Sequence, residues 1–330
     1  MRHLKAVPRR TLLAMACGAL ALLAAPCLAL AAEVKEVRLD WATYNPVSLV
    51  LKEKGFLEEA LKQKGIGVRW VQSLGSNKAL EFLNGGAIDF GSSAGAAALL
   101  ARINGNPVKA IYAFSQPEWT ALVTRKDSGI AKPADLKGKR IAVTRGTDPH
   151  IFLIRALQGA GLTEKDAKLV LLQHADGRTA LERGDVDAWA GLDPMMAAAE
   201  IEGGSVLFFR DASANTWGVL DVREDFAKDH PDLVATVIAA YERARTYALA
   251  NPAAVQAALI AATKLPEAVI ARQLTRTDLS QPAIGPVQAA SIRAAGLALQ
   301  QAGVIPAGTD VAAAVDGLID TRFSPATAQR

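Results

Sequence analysis

Alternating strand-like and helix-like segments predict an α/β protein built on mostly parallel sheets and divided into two lobes. Three observations carry this reading. The stretch Lys139-Arg-Ile-Ala-Val-Thr-Arg-Gly-Thr-Asp-Pro-His150 reads as a buried strand at Ile141–Val143, a tight turn, and a helix opened by Asp148 and Pro149. The same device occurs earlier, where a strand at Val37–Trp41 is followed by Asn45-Pro46. Finally, Leu83-Asn-Gly-Gly86-Ala-Ile-Asp89 corresponds to Leu181-Glu-Arg-Gly184-Asp-Val-Asp187, each a helix end, a glycine stop and a strand entry. Helix-glycine-strand turns are frequent everywhere. Two kinds of paired element, in the same order and at similar separations, favour two lobes of similar build.

Taken in chain order, residues 1–32 are set apart. They hold Arg2, Lys5, Arg9 and Arg10, no acid, an apolar run from Leu12 to Leu30 and small residues beyond Pro26, the pattern of a cleavable secretory signal. A retained membrane anchor is the alternative, because the run approaches spanning length. Strands are expected at 37–41, 68–72, 88–91, 108–114 and 120–124, with helices near 47–64, 77–84 and 94–102. A second run follows, with strands at 141–143, 169–172, 186–189 and 206–209 and helices near 149–160, 178–183 and 194–200. After a strand at 217–222 the pattern is almost wholly helical, at 231–250, 252–263, 266–275, 287–302 and 311–319, with alanine abundant throughout. No linker or low-complexity tract sets this helical part apart, so it is expected to pack back on the first lobe.

Charge and cysteine usage narrow the function. The chain has 37 basic and 33 acidic residues, and removing the four cations of the leader leaves 33 of each. Nucleic-acid binding thereby loses its electrostatic basis. Both cysteines, Cys17 and Cys27, fall in the leader, so no disulfide or cysteine metal site is expected in the mature chain. There is no Gly-x-Ser-x-Gly, phosphate loop, His-Glu-x-x-His or dinucleotide fingerprint, so no catalytic residues, cofactor or metal are expected.

At Ser48-Leu-Val-Leu-Lys-Glu-Lys-Gly-Phe56, in the Leu80 to Ser92 segment and at Ala134-Asp-Leu-Lys-Gly-Lys-Arg-Ile-Ala-Val143, the chain resembles solute-binding proteins of ABC importers. Asp185-Val-Asp-Ala-Trp-Ala-Gly-Leu-Asp-Pro194 and the Gly146-Thr147-x-x-His150 turn bring it nearest to the aliphatic sulfonate, taurine and nitrate branch. The resemblance implies a type II periplasmic binding fold, with two α/β lobes joined by crossovers near Thr124–Lys126 and Asn215–Asp221, so that 33–124 with 219–330 form lobe 1 and 125–218 form lobe 2. It also implies a periplasmic monomer that closes on a small solute and presents it to a membrane permease. An aliphatic sulfonate is the expected ligand. Nitrate, bicarbonate and a thiamine-precursor-like pyrimidine are alternatives, as is a role as an extracytoplasmic sensor.

The residues expected to bind the ligand follow from helix starts, which aim backbone N–H groups beyond the strand ends. In lobe 1 they are Tyr44 and Asn45, Ser76 and Asn77, and Ser92 and Ser93, several of which capping alone would explain. In lobe 2 they are Gly146 and Thr147, with Asp148 and His150 in the first helical turn and Trp189 as an apolar wall. Asp148 stands where the sulfonate branch commonly has a serine, which leaves neutral, zwitterionic and cationic ligands open.

Overall fold

The structure is a computed structural model that describes residues 34–325. The expected signal at 1–32 lies outside the described residues. The chain begins with β1 (Glu36–Trp41), α1 (Pro46–Lys54), α2 (Phe56–Lys62), β2 (Gly67–Gln72), α3 (Ser76–Asn84), β3 (Phe90–Ala94), α4 (Gly95–Ile103) and β4 (Val108–Pro117). It continues with β5 (Thr120–Thr124), β6 (Arg140–Val143), α5 (Asp148–Gly159), β7 (Lys168–Leu171), α6 (His174–Arg183), β8 (Ala188–Leu192), α7 (Met195–Ile201) and β9 (Val206–Phe209). Then come β10 (Gly218–Arg223), α8 (Glu224–Asp229), α9 (Pro231–Ala250), α10 (Pro252–Thr263), α11 (Glu267–Leu274), β11 (Thr277–Asp278), α12 (Pro286–Gln301) and α13 (Val311–Leu318).

Two sheets organise these elements. The first runs β11-β4-β10-β3-β1-β2 and the second β7-β6-β8-β5-β9. In the first, β1 lies parallel to β2 and β3, and β10 is antiparallel to β3 and β4. In the second, β6 lies parallel to β7 and β8, and β5 is antiparallel to β8 and β9. Read from their parallel ends, β2-β1-β3-β10-β4 and β7-β6-β8-β5-β9 have the same order. The strand that enters each sheet antiparallel is the one whose chain has just left the other. Sheet membership therefore corrects one expected boundary: Thr120–Thr124 belongs to the second sheet, and the first crossing lies between Pro117 and Thr120, not at Thr124–Lys126.

Local chemistry explains the repeated turns. Asp89 accepts from the backbone N–H and the guanidinium of Arg38, which also donates to Gly86 O. Asp187 does the same for Arg140, which also donates to Gly184 O. Each carboxylate thus ties its strand entry to the neighbouring parallel strand. The helix expected at 47–64 breaks in two, because Gly55 takes φ +63° and its N–H donates to Lys52 O. That backbone conformation costs glycine nothing and other residues a good deal.

The helical tail covers the first sheet. α9 packs against α1 and α2, while α12 and α13 pack on α4. They complete a core that includes Leu39, Phe90, Ile111, Phe114, Val237 and Tyr241. The second sheet is covered by two smaller clusters, one around Phe152 and Leu157 and one around Trp189 and Met196. Ile151 and Ile154 of α5 join the first lobe's core, so the lobes meet through apolar side chains as well as polar ones.

Candidate functional site

The carboxyl ends of the strands in both sheets lead into helix starts that converge on the seam between the lobes. A cleft of about 90 Å³ lies there, lined by Thr43, Tyr44 and Leu74 from the first lobe and by Gln173, His174, Asp193 and Met195 from the second. Tyr44 reaches it from the β1–α1 turn, its hydroxyl donating to Ser92 O at 2.8 Å and its ring edge on Trp119. Gln173 and His174 open α6, and Asp193 precedes α7 and accepts from Ala197 N at 2.9 Å.

Beneath the first lobe's side of the cleft is a buried polar network. Asn45 caps α1 through Oδ1 and donates from Nδ2 to Ser92 Oγ at 2.8 Å. Ser92 Oγ donates to Asp40 Oδ1 at 2.8 Å, and Ser73 Oγ donates to Asp40 Oδ2. Ser93 Oγ donates to Asp221 Oδ2 at 2.5 Å. Ser76 Oγ accepts from Ala94 N at 3.0 Å, tying α3 to the start of α4. The hydrogen-bonding groups of Asn45, Ser76, Ser92 and Ser93 are therefore engaged within the lobe. Asn77 differs, for its Oδ1 is buried and has no partner among the described residues.

Burial dominates the acidity of this network. It lifts the Asp40 carboxyl to about 6, against the pull of its serine donors, and lifts Asp221 as well. A folded-state value above the ordinary carboxylate range means the native protein keeps a proton that the unfolded chain has released, so stability falls as pH rises between about 4 and 6. Urea unfolding should show this as a loss of about 2–3 kcal/mol for Asp40 across that window. Asp40→Asn should flatten the slope; an unchanged slope would mean that Asp40 is ionised throughout.

On the second lobe, Gly146 takes φ +76°, and Thr147 Oγ1 donates to Thr144 O at 2.7 Å, closing the turn on itself. Asp148 points to the crossing segments, accepting from Trp119 Nε1 at 2.8 Å and from Thr216 N and Oγ1 at 3.0 and 2.7 Å. His150 is placed away from the cleft. Its Nε2 is 2.8 Å from Glu164 Oε1, and with Arg145 it borders a groove of about 810 Å³ between α5 and the end of α12. Trp189, expected as an apolar wall, is fully buried in the second lobe's core. A side chain on Gly177 of α6 would meet its indole nitrogen at 2.7 Å, so the helix lies directly on the ring.

Two features escaped the sequence reading. His174 occupies in the second lobe the topological place that Ser76 holds in the first, at a strand end and helix start, and that position was its signal. Arg276, following α11, reaches from the first lobe to Asp193, with Nη1 3.4 Å from both carboxylate oxygens, and to Glu200 Oε2 at 2.5 Å. No local pattern marks it. Burial lifts Asp193 to about 7, even though Arg276 pulls the other way.

Residues 46–255 match the model of the family described as NMT1/THI5 like. A Bacillus subtilis protein named for aliphatic sulfonate binding is 30% identical over 216 residues, 64% of this chain and 65% of that protein. An Escherichia coli protein named likewise is 32% identical over 188 residues, 56% of this chain and 58% of that protein. These matches span less than two thirds of either relative's length. The alkanesulfonate-binding protein SsuA from Xanthomonas axonopodis pv. citri, solved bound to MOPS, superposes with a TM-score of 0.78 at 25% identity. That superposition covers 86% of this chain and 99% of that one, and the shared architecture is the two-lobed α/β periplasmic binding fold.

Proposed function

The chain belongs to the NMT1/THI5-like family, and from that premise we propose that it is the exported solute-binding component of an ABC importer, a monomer that holds a small sulfonate between its lobes and delivers it unchanged to a permease. One observation supports this reading above the others: helix starts from both lobes line a single cleft, so a solute seated there touches both and favours their contact. Backbone N–H groups and helix dipoles meet the anionic head without a fixed cation, which stabilises bound charge yet permits release when the lobes part. The cleft contributions proposed are Tyr44 and Asn77 from the first lobe and Gln173, His174 and Asp193 from the second. Asn45, Ser76, Ser92, Ser93, Gly146, Thr147 and Asp148 hold the framework behind them.

Purified protein lacking residues 1–32 should gain several degrees of melting temperature with millimolar alkanesulfonates, since ligand binding to the native state adds apparent stability. Mass spectrometry should recover the ligand intact. A shift with nitrate, bicarbonate or a pyrimidine but with no sulfonate would replace the ligand and keep the carrier. Conversion of the ligand would end the carrier reading.

A further inference from the structure

We propose that His174 selects the solute, its Nε2 accepting a hydrogen bond from an amine N–H, so that the ligand class is one bearing an amino group beside its anionic head. The inference rests on the reading that a small sulfonate occupies the interlobe cleft. Thr144 Oγ1 lies 2.7 Å from Leu172 O, a carbonyl that can only accept, so the hydroxyl proton is committed there. The same oxygen lies 3.2 Å from His174 Nδ1. With its proton already given to Leu172, Thr144 must accept, and Nδ1 must carry the imidazole hydrogen. The ring is thereby fixed in one tautomer, and Nε2 is left as a bare acceptor.

Among the described residues nothing answers that acceptor. His174 is 5% exposed, and Nε2 has no partner among the described residues. It cannot escape by ionising, because burial pushes the imidazole down to about 3. Across the seam, Nε2 and Asn77 Oδ1 each lie 2.9 Å from the point where a side chain on Gly75 would begin. Asn77 Oδ1 and the neighbouring Gln173 Oε1 are also buried without partners. Either amide could rotate to present a donor, whereas His174 is held by Thr144.

A buried acceptor left unanswered is costly, and a sulfonate group has only acceptors to offer. An ammonium group brings three N–H donors to a place with up to three acceptors, and the Asp193 carboxylate lines the same cleft. The head group and the amine would thus be read by different chemistry: the head by helix starts, the amine by His174 and its neighbours.

Three ligands of nearly equal size separate the possibilities: 2-aminoethanesulfonate, 2-hydroxyethanesulfonate and propane-1-sulfonate. Titration calorimetry on the wild type should rank the amine about tenfold tighter than the methyl compound, with the hydroxyl compound between them. His174→Phe keeps the ring's shape and should collapse that ratio to about one. If this variant does not fold, Gly75→Ala serves instead, because its methyl would stand 2.9 Å from Nε2 and should erase the same preference. Equal affinity for all three ligands in the wild type, or a tenfold ratio that survives either variant, would overturn the role of His174 and leave the sulfonate carrier intact. Failure of all three to bind would overturn the carrier's ligand instead.

Discussion

Asp148→Ala should lower the melting temperature by about 5–10 °C while changing ligand affinity far less, because the carboxylate holds the protein's crossing segments together and does not line the cleft. Three donors converge on it: the Trp119 indole from the chain entering the second sheet, and the Thr216 amide and hydroxyl from the chain returning to the first. Truncation leaves the buried indole and amide N–H groups without an acceptor, a loss on the order of 3 kcal/mol after allowing for relief of the carboxylate's own burial. That burial is the largest influence on its acidity and raises it above the ordinary range, so the site does not favour charge in itself. Asp148→Asn should recover much of the loss, since an amide oxygen in the Oδ2 position can still accept from both the indole and the Thr216 amide while its NH2 donates to Thr216 Oγ1. Thermal melts of the three proteins, each with and without a saturating sulfonate, separate the two effects. A large fall in affinity with little change in melting temperature would put Asp148 in the binding site after all.

How much of this could be read from the chain depends on how far apart the partners lie. Turns whose bonds are local or repeat between lobes were legible: the glycines at 86 and 184 and the aspartates after them mark strand entries in both lobes. The start of α6 was not, because His174-Ala-Asp-Gly177 looks like a turn, and glycine in a helix reads as a defect. Its reason is tertiary, since only a residue without Cβ lets α6 rest on Trp189. That contact also explains why Trp189 is core and not cleft. Likewise, Ser92 and Asn45 were expected from the sequence to contact the ligand. Their bonds to each other and to Asp40 join residues 47 and 52 positions apart, which no local pattern shows. Tyr44 and Asn77 were named from the sequence, whereas Gln173 and His174 were not, because no local pattern shows which polar groups at the strand ends are already bonded to distant partners.

Arg276→Leu should weaken solute binding by about 10- to 100-fold, the second large effect expected. In the structure its guanidinium is almost fully buried between Asp193 and Glu200, two acids of the opposite lobe, with Arg272 a more distant partner of Glu200 at 3.6 Å. Removing one member of such a cluster leaves charge buried without compensation, which costs about 3–5 kcal/mol. Most of that cost belongs to the arrangement in which the lobes touch, because separation lets water reach both carboxylates. The variant should therefore populate separated lobes, and apparent affinity falls in proportion to the fraction still able to close. Small-angle scattering of the unliganded variant should give a larger radius of gyration than the wild type, with ligand restoring the compact value at higher concentration. Glu200→Gln combined with Arg276→Leu should recover part of the affinity, since one of the stranded charges is then gone and Glu200 does not line the cleft. If the radius and the dissociation constant both stay at wild-type values while the melting temperature falls, Arg276 supports the fold alone and takes no part in closing the lobes on the solute.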